Sequence, residues 1–209
     1  MIKQAINQCI AIVMAAGISK RFGERKLYQK LGDKAIIDHV LDELKKTELK
    51  QVVVVVQPGD ELETDLLVVE NPDFKQGQST SIKAGLKACD KDWVGVFFCP
   101  ADQPFLDAAV MEEMAQKLSW GKIIIPRYQG RNGSPVLFSH TFLEELQSLS
   151  GEEGGRPVIR SHPEALIYHE VEDKWMLHDI DTPEDHKKAQ ARVRELSPKN
   201  ELENDTLKP

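Results

Sequence analysis

Runs of consecutive apolar residues alternate along this chain with segments whose apolar residues recur every three or four positions. A short run in which nearly every position is apolar is typical of a strand that is covered on both faces of a sheet. We therefore predict strands at residues 10–14, 51–56, 65–69, 93–98, 123–125, 135–138 and 166–170.

The segments between these runs have the periodicity of amphipathic helices. In residues 35–46, Ile37, Val40 and Leu44 fall on one helical face. The same reasoning predicts further helices at residues 79–89, 108–118, 141–149, 156–160 and 183–196. Such alternation predicts an α/β fold: a doubly wound, mostly parallel sheet with helices on both faces. We expect residues 1–196 to form a single domain and residues 197–209, which hold few apolar side chains, to form a mobile polar tail.

The composition of the chain indicates which classes of protein it can belong to. With 209 residues, of which 41% are hydrophobic, the chain is long enough to bury one sizeable core. Its formal net charge of −7 argues against a nucleic-acid partner, because no excess of basic residues offsets the acidic ones. Residues 1–8 are too polar for a signal peptide, and no apolar run is long enough to span a membrane. Cys9, Cys89 and Cys99 lack a C-x-x-C spacing and are predicted to be reduced, so we expect a cytoplasmic protein without a membrane partner.

The segment that follows the first strand, residues 15–26, has the residues of a phosphate-binding loop. Gly17 and Gly23 allow the backbone N–H groups to approach an anion, and Arg21 and Lys26 supply positive charge. The spacing is neither that of a P-loop nor that of the dinucleotide fingerprint, so an ordinary basic surface loop is the alternative. In either case Lys26 is expected to be exposed, and its replacement should cost little stability.

Two carboxylates occur where a doubly wound sheet would bind a ligand. Asp102 follows the strand at 93–98, and Asp181 precedes the last helix, so both can face the loop at residues 15–26. A pair of carboxylates beside a triphosphate is suited to Mg²⁺, with Mn²⁺ as an alternative. Asp102 could equally be a turn residue, and Asp181 could belong to an ordinary helix start with Thr182 as N-cap. Asp179 is the competitor for the second metal-ligand position.

Six motifs occur in the order found in the molybdenum-cofactor nucleotidyltransferases, a family that this chain resembles over residues 10–192. They are the loop at 15–26 and the segments at 77–86, 100–104, 132–138, 154–156 and 179–185. The chain departs from the family pattern at Ala101, where glycine is usual, and at Glu152, where aspartate is usual. Both departures leave the acidic character of their motifs intact.

The resemblance implies a Rossmann-like, glycosyltransferase-A-like nucleotidyltransferase fold. It implies transfer of CMP from CTP to the terminal phosphate of a molybdopterin-type cofactor, which gives the cytosine dinucleotide form and pyrophosphate. Ala15 and Ala16 resemble the cytidylyltransferase branch, whereas the guanylyltransferase branch usually has Ala-Gly-Gly there. The alternatives are a guanylyltransferase, a nucleotidyltransferase for sugar or polyol phosphates, and a non-catalytic cofactor carrier or chaperone. An apo molybdenum hydroxylase is the partner that would receive the product.

Residue roles are expected as follows. The predicted catalytic residues are Arg21, Lys26 and Asp102, and the predicted ligands of Mg²⁺ are Asp102 and Asp181. The predicted nucleotide-binding residues are Ala15, Ala16, Gly17, Ser19, Arg21, Lys26, Ser81 and Gly85. Ser81 resembles a position that contacts the base in related cytidylyltransferases, although a helix-start residue is an equally ordinary interpretation. The resemblance implies that the acceptor is bound by Asn132, Gly133, Pro135, Gly155 and Arg156.

Overall fold

The computed structural model of the protein describes residues 6–18, 21–22 and 25–196. Its strands are β1 (Cys9–Met14), β2 (Lys30–Leu31), β3 (Lys34–Ala35), β4 (Gln51–Val56), β5 (Leu67–Glu70), β6 (Gly95–Pro100), β7 (Ile123–Tyr128), β8 (Arg131–Asn132), β9 (Val136–Ser139) and β10 (Leu166–Glu170). Its α-helices are α1 (Ile36–Lys45), α2 (Gln78–Ala88), α3 (Ala108–Gln116), α4 (Leu143–Ser148), α5 (Arg156–Ser161) and α6 (Pro183–Leu196).

The main sheet has eight strands, in the order β10-β7-β9-β6-β1-β4-β5, with β8 added to β7. The strands β6, β1, β4 and β5 run parallel to one another, and β10 runs parallel to β7. The strand β9 runs antiparallel to both of its neighbours, β6 and β7, and β8 is also antiparallel to β7. The predicted mostly parallel sheet is therefore confirmed, with an antiparallel strand in its interior.

Helices cover both faces of the sheet, as predicted. On β1, Ala11 and Val13 face a core cluster that includes side chains of α1 and α3. Ile10 and Ile12, which alternate with them, face a second cluster built with α2, α4 and α5. All four side chains are completely buried. Because successive residues of a strand point to opposite faces, a continuous apolar run serves both clusters at once.

The topology brings distant loops to one edge of the sheet. The parallel strands β1, β4 and β6 end at the same edge, so the segments after Met14 and Pro100 lie side by side. The segment before α6 reaches the same edge, where the backbone N–H of Ile180 donates to the carbonyl of Asp102 at 3.0 Å. Ile180 and Ala189 pack in a third apolar cluster with Leu31. The C-terminal helix thus fixes one wall of the site.

Several predicted boundaries differ from the structure. The strands predicted at 65–69 and 93–98 run instead over Leu67–Glu70 and Gly95–Pro100. The helix predicted at 141–149 begins with a 3₁₀ turn at His140–Phe142 before α4. The three cysteines, all described, are buried thiols. The predicted tail at 197–209 lies outside the described residues.

Within the described residues, the helices are too short or too polar for any of them to cross a lipid bilayer.

Gly85 provides a test of how closely α2 packs on β1. A Cβ atom added at Gly85 would lie 2.5 Å from Cγ2 of Ile12, which is completely buried. We expect Gly85→Val to lower the free energy of unfolding by about 2 kcal/mol or more, because β1 has no room to move. Lys83→Val is the matched control, since Lys83 is exposed on the same helix. Urea denaturation measures both variants, and equal stabilities would contradict this packing.

Candidate active site

Lys26 lies at the centre of the site. It begins a 3₁₀ turn, Lys26–Tyr28, and only 7% of its surface is exposed. Its Nζ donates to Oδ2 of Asp102 at 2.6 Å and lies 3.5 Å from Oδ1 of Asp181. Arg21 reaches the other oxygen of Asp181, with Nη2 and Oδ2 2.9 Å apart. The expectation that Lys26 is an exposed loop residue is therefore wrong, because its ammonium group is buried between two carboxylates.

The side chain of Asp181 takes no part in the N-cap hydrogen bonds that Thr182 and Asp185 form. The backbone N–H of Asp185 donates to Oγ1 of Thr182, and the backbone N–H of Thr182 donates to Oδ2 of Asp185. This reciprocal pair is a capping box, so Thr182 is the N-cap that the sequence predicts. The carboxylate of Asp181 therefore faces Lys26 and Arg21. The ordinary helix start accounts for Thr182 and Asp185 but not for the orientation of Asp181.

A third carboxylate, that of Asp179, lies beside this pair. Its Oδ1 accepts a hydrogen bond of 2.8 Å from Nε2 of Gln103. Partial loss of water around the carboxyl group, followed by the negative charge of Asp102, raises the pKa of Asp179. Asp179 lines the second of the two clefts described next.

Two clefts open from this centre. The first cleft encloses about 530 Å³ and is lined on one side by the segment after β1 and on the other by the start of α2. Of the predicted nucleotide-binding and metal-binding residues, its walls contain Ala16, Gly17, Arg21, Lys26, Ser81, Asp102 and Asp181. Asp102 and Asp181 also line the second cleft, which encloses about 790 Å³. The two carboxylates thus stand where the clefts meet.

The second cleft contains most of the predicted acceptor-binding residues. Its walls include Asn132, Gly133, Gly155 and Arg156. Gly133 and Gly155 bring the backbone close to apolar neighbours, since an added Cβ would lie 2.6 Å from Leu177 and 2.9 Å from Phe138, respectively. Further cations, Arg131 and Arg160, line the same cleft, which suits an anionic ligand.

Four predicted residues are not among those lining the clefts. Ala15 is buried, and its N–H donates to the carbonyl of Val55 at 2.8 Å. Pro135 is buried, whereas its neighbours Ser134 and Val136 line the second cleft. Gly85 packs against Ile12, so the structure gives it a role in helix packing. Ser19, like Gly23 of the predicted loop, lies outside the described residues.

Several residues at the site escape prediction from the sequence. Gln78 lines both clefts, and Glu152 lines the first. Asn71 is 2% exposed and donates hydrogen bonds from Nδ2 to Thr80 and Ser81 at the start of α2. Its sequence signal is the Asn-Pro pair at 71–72, which marks a turn at the end of a strand. Such a pair predicts a turn without identifying the hydroxyl groups that the side chain contacts.

The donor set at the centre fits a hard divalent cation. No group of three or more His, Cys, Asp or Glu side chains within the described residues is arranged to hold a metal ion. Mg²⁺ is commonly held by only one or two carboxylates, with its other ligands from water and phosphate. Asp102 and Asp181 provide two such carboxylates, and both line the two clefts.

Residues 11–166 match the profile of a protein family, the MobA-like NTP transferase domain. The match covers well over half of the chain and includes most of β1, the loop after it, Ser81 and Asp102. The chain belongs to this family of nucleotidyltransferases. The resemblance to the molybdenum-cofactor nucleotidyltransferases is thereby confirmed.

Three relatives share 26–27% sequence identity with this chain. Molybdenum cofactor cytidylyltransferase of Escherichia coli (strain K12) is 27% identical over 196 residues, which are 88% of this chain and 97% of that protein. The purine catabolism protein PucB of Bacillus subtilis (strain 168) is also 27% identical and covers 85% of this chain and 93% of its own. A protein of Pyrococcus furiosus named probable molybdenum cofactor guanylyltransferase is 26% identical, with coverages of 90% and 99%.

Solved structures share the fold. The homologue of Mycobacterium tuberculosis Rv0371c from Mycobacterium sp. strain JC1 superimposes with a TM-score of 0.81 at 24% identity, over 91% of this chain and 99% of that one. Rv0371c from Mycobacterium tuberculosis H37Rv, in a complex with manganese, superimposes with a TM-score of 0.72 at 22% identity, over 88% and 98%. The predicted Rossmann-like nucleotidyltransferase fold is thus confirmed.

The burial of Lys26 generates a prediction about stability. Lys26→Met should lower the free energy of unfolding by about 1–3 kcal/mol, because the partly buried carboxylate of Asp102 loses its cation. In the Lys26→Met background, Asp102→Asn should lower the free energy of unfolding by less than it does in the unmodified protein. Urea denaturation at pH 7 measures this coupling.

The matched control for this prediction is Lys34→Met. Lys34 pairs with Asp42 on the surface, where both side chains are more than 40% exposed. An exposed ion pair contributes little to the free energy of unfolding, so Lys34→Met should be about as stable as the unmodified protein. Equal losses in Lys26→Met and Lys34→Met would contradict the structural role of the buried ammonium group.

Proposed function

We propose that this protein transfers CMP from CTP to the terminal phosphate of a molybdopterin-type cofactor and releases pyrophosphate. The observation that carries the proposal is the position of Asp102 and Asp181 at the junction of two clefts, with Lys26 of the first cleft in contact with both. A transfer between two substrates requires a charged centre at which both reacting groups can meet. The first cleft is assigned to CTP and the second to the cofactor.

The reaction needs little from the protein beyond positioning and charge neutralisation. An oxygen of the acceptor phosphate attacks the α-phosphorus of CTP, a new P–O bond forms, and the bond to the β-phosphate oxygen breaks as pyrophosphate leaves. The attacking phosphate is already anionic, so no side chain has to remove a proton from it. Arg21 and Lys26 neutralise charge on the triphosphate and on the departing pyrophosphate. The ion pairs that both cations form with Asp181 keep them at the junction of the clefts.

The proposal includes a divalent cation, Mg²⁺ or Mn²⁺, held by Asp102 and Asp181. Its support is the pair of carboxylates at the junction of the two clefts. Asp181 is favoured over Asp179 as the second ligand because Asp181 lines both clefts, whereas Asp179 lines the second. When bound, such an ion supplies charge that stabilises the oxygens of the transferred phosphoryl group. The mycobacterial protein Rv0371c, which has the same fold, was solved in a complex with manganese, and this supports a divalent cation.

The choice of CTP over GTP rests on Ala16 and on the relative from Escherichia coli. Ala16, which is 2% exposed, lines the first cleft and follows the resemblance to the cytidylyltransferase branch. The relative named a cytidylyltransferase covers nearly the whole of both chains. On this proposal residues 1–196 act as one domain in the cytoplasm, and an apo molybdenum hydroxylase receives the product.

Incubation with purified molybdenum cofactor tests the reaction directly. In the presence of Mg²⁺ we expect pyrophosphate and a dinucleotide product with CTP, and at least tenfold lower kcat/KM with GTP or ATP. Product identity is established by mass spectrometry, and sugar and polyol phosphates serve as competing acceptors. Equal efficiencies with CTP and GTP would overturn the choice of nucleotide but not the reaction.

The proposed role of Lys26 is tested in the same assay. Lys26→Ala should reduce kcat by at least a hundredfold, because the lysine charge faces a group that gains charge only as the reaction proceeds.

If a sugar phosphate is a better acceptor than the molybdenum cofactor, the proposed class of acceptor is wrong. If no acceptor yields pyrophosphate while the cofactor still binds, the carrier alternative replaces the enzyme.

The metal site is tested by three neutral variants, Asp102→Asn, Asp179→Asn and Asp181→Asn. Each replaces one anionic carboxylate oxygen with a neutral amide group at nearly constant volume. Activity should fall by at least a hundredfold in Asp102→Asn and Asp181→Asn and recover in part at raised Mg²⁺ or with Mn²⁺, which binds such sites more tightly. Metal titrations of the activity measure the shift in each variant.

Asp179→Asn is the internal control for this series. It should keep the normal dependence on Mg²⁺, because Asp179 is bound to Gln103 and does not line the first cleft. The reverse pattern, with normal dependence in Asp181→Asn and a large shift in Asp179→Asn, would make Asp179 the second ligand. Normal dependence in all three variants would reject the two-carboxylate site.

A further inference from the structure

The side chain of Asn71 has its orientation fixed by its hydrogen-bond partners. Asn71 follows β5 and is 2% exposed. Its Oδ1 accepts from the backbone N–H of Asp73 at 3.1 Å, while Nδ2 lies 2.8 Å from Oγ1 of Thr80 and 3.0 Å from Oγ of Ser81. A backbone N–H can only donate, so the amide oxygen must face Asp73. The amide NH₂ group must then face the two hydroxyl groups.

This orientation determines the role of the Ser81 hydroxyl group. An amide NH₂ can only donate, so Oγ of Ser81 is the acceptor in its bond with Asn71. The hydroxyl hydrogen of Ser81 has to point elsewhere, and among the described residues Asn71 is the only partner of this hydroxyl. Ser81 lines the first cleft. Its O–H group is therefore left to donate into that cleft.

Thr80 accepts from the same amide group but directs its own hydrogen away from the cleft. Its Oγ1 donates to the carbonyl of Gly77 at 2.8 Å, within the first turn of α2. Thr80 does not appear among the residues that line either of the two clefts. The two hydroxyl groups thus share one partner, but only that of Ser81 faces the space in which a nucleotide would lie.

We propose that Asn71 determines base specificity by leaving the hydrogen of the Ser81 hydroxyl free to donate to the base. The inference rests on the proposed function, in which CTP binds in the first cleft, and on the resemblance that gives Ser81 a base-contacting position. A hydroxyl with a free hydrogen favours a base with an acceptor at the middle of its pairing edge, as at N3 of cytosine. Uracil, with N3–H, and guanine, with N1–H, cannot accept that hydrogen and lose this bond. Asn71 acts through Ser81 and is a positioning residue.

Asn71→Asp tests the inference because it reverses the polarity while keeping the shape. A carboxylate can only accept, so the Ser81 hydroxyl would donate to it and present its lone pairs to the cleft. The N–H of Asp73 keeps its acceptor. We expect the preference for CTP over UTP, taken as the ratio of their dissociation constants, to fall by about tenfold or more. The probes are CTP and UTP with Mg²⁺, bound to the full chain without acceptor and measured by calorimetry.

CTP and UTP are suitable probes because they share their size, ribose and triphosphate. They also differ at position 4 of the ring, and contacts there contribute to the preference of the unmodified protein. Such contacts are the same in Asn71→Asp, so the change in the ratio isolates the effect of the hydroxyl orientation. The ratio of kcat/KM values, measured with the molybdenum cofactor as acceptor, should change in parallel.

Thr80→Val is the matched control. It removes the other hydroxyl partner of Asn71, so it disturbs the same hydrogen-bond network without touching the Ser81 contact. It should lower stability about as much as Asn71→Asp while leaving the CTP:UTP ratio within about twofold of the unmodified protein. A network that is only structural would change the ratio equally in both variants, and that result would overturn the inference.

Ser81→Ala keeps the inference testable if Asn71→Asp does not fold. Alanine is well tolerated in helices, and the variant removes the donor itself, so the CTP:UTP ratio should again fall about tenfold. An unchanged ratio in this variant, or failure of the unmodified protein to bind either nucleotide, overturns the inference. If no acceptor yields pyrophosphate but the ratio shifts as expected, the proposed reaction fails and the inference about Asn71 stands.

Discussion

The buried ammonium group of Lys26 is the constraint on which the arrangement of the site depends. A lysine with 7% of its surface exposed requires anionic partners, because an unpaired charge in such a position is strongly unfavourable. Asp102 and Asp181 meet this requirement from the end of β6 and from the start of α6. The two carboxylates line both clefts, and Lys26 lines the first. The stability of the fold and the proposed chemistry therefore depend on the same side chains. Replacing Asp102 or Asp181 is expected to change both.

The sheet and its helices could be predicted because they depend on local pattern. Ile10, Ala11, Ile12 and Val13 form a continuous apolar run, and the structure buries them against helices on both faces. The position of Asp102 at a strand end was predictable for the same reason. The direction of β9 was not, because an apolar run has the same composition whether the strand runs parallel or antiparallel to its neighbours.

The parts of the site that escape prediction depend on contacts between distant positions. The sequence around Lys26 has the composition of a solvated loop, and its burial arises from Asp102, 76 positions further along the chain. Gly85 resembles a ligand contact in its motif, but only the structure places Ile12 against it. The Asn-Pro pair at 71–72 predicts a turn, but it does not predict that the Asn71 side chain donates to the hydroxyl groups of Thr80 and Ser81. Spacing in the sequence does not encode such partners.

The bond between the N–H of Ile180 and the carbonyl of Asp102 has a consequence for biosynthesis. A ribosome produces the chain from its N-terminus, so β1, Lys26 and Asp102 leave the exit tunnel well before Asp181 does. During that interval the nascent chain can form the Lys26–Asp102 pair but holds only one of the two carboxylates at the junction. Completion of the charged centre is therefore tied to the last helix, so an incomplete chain would not yet have both carboxylates.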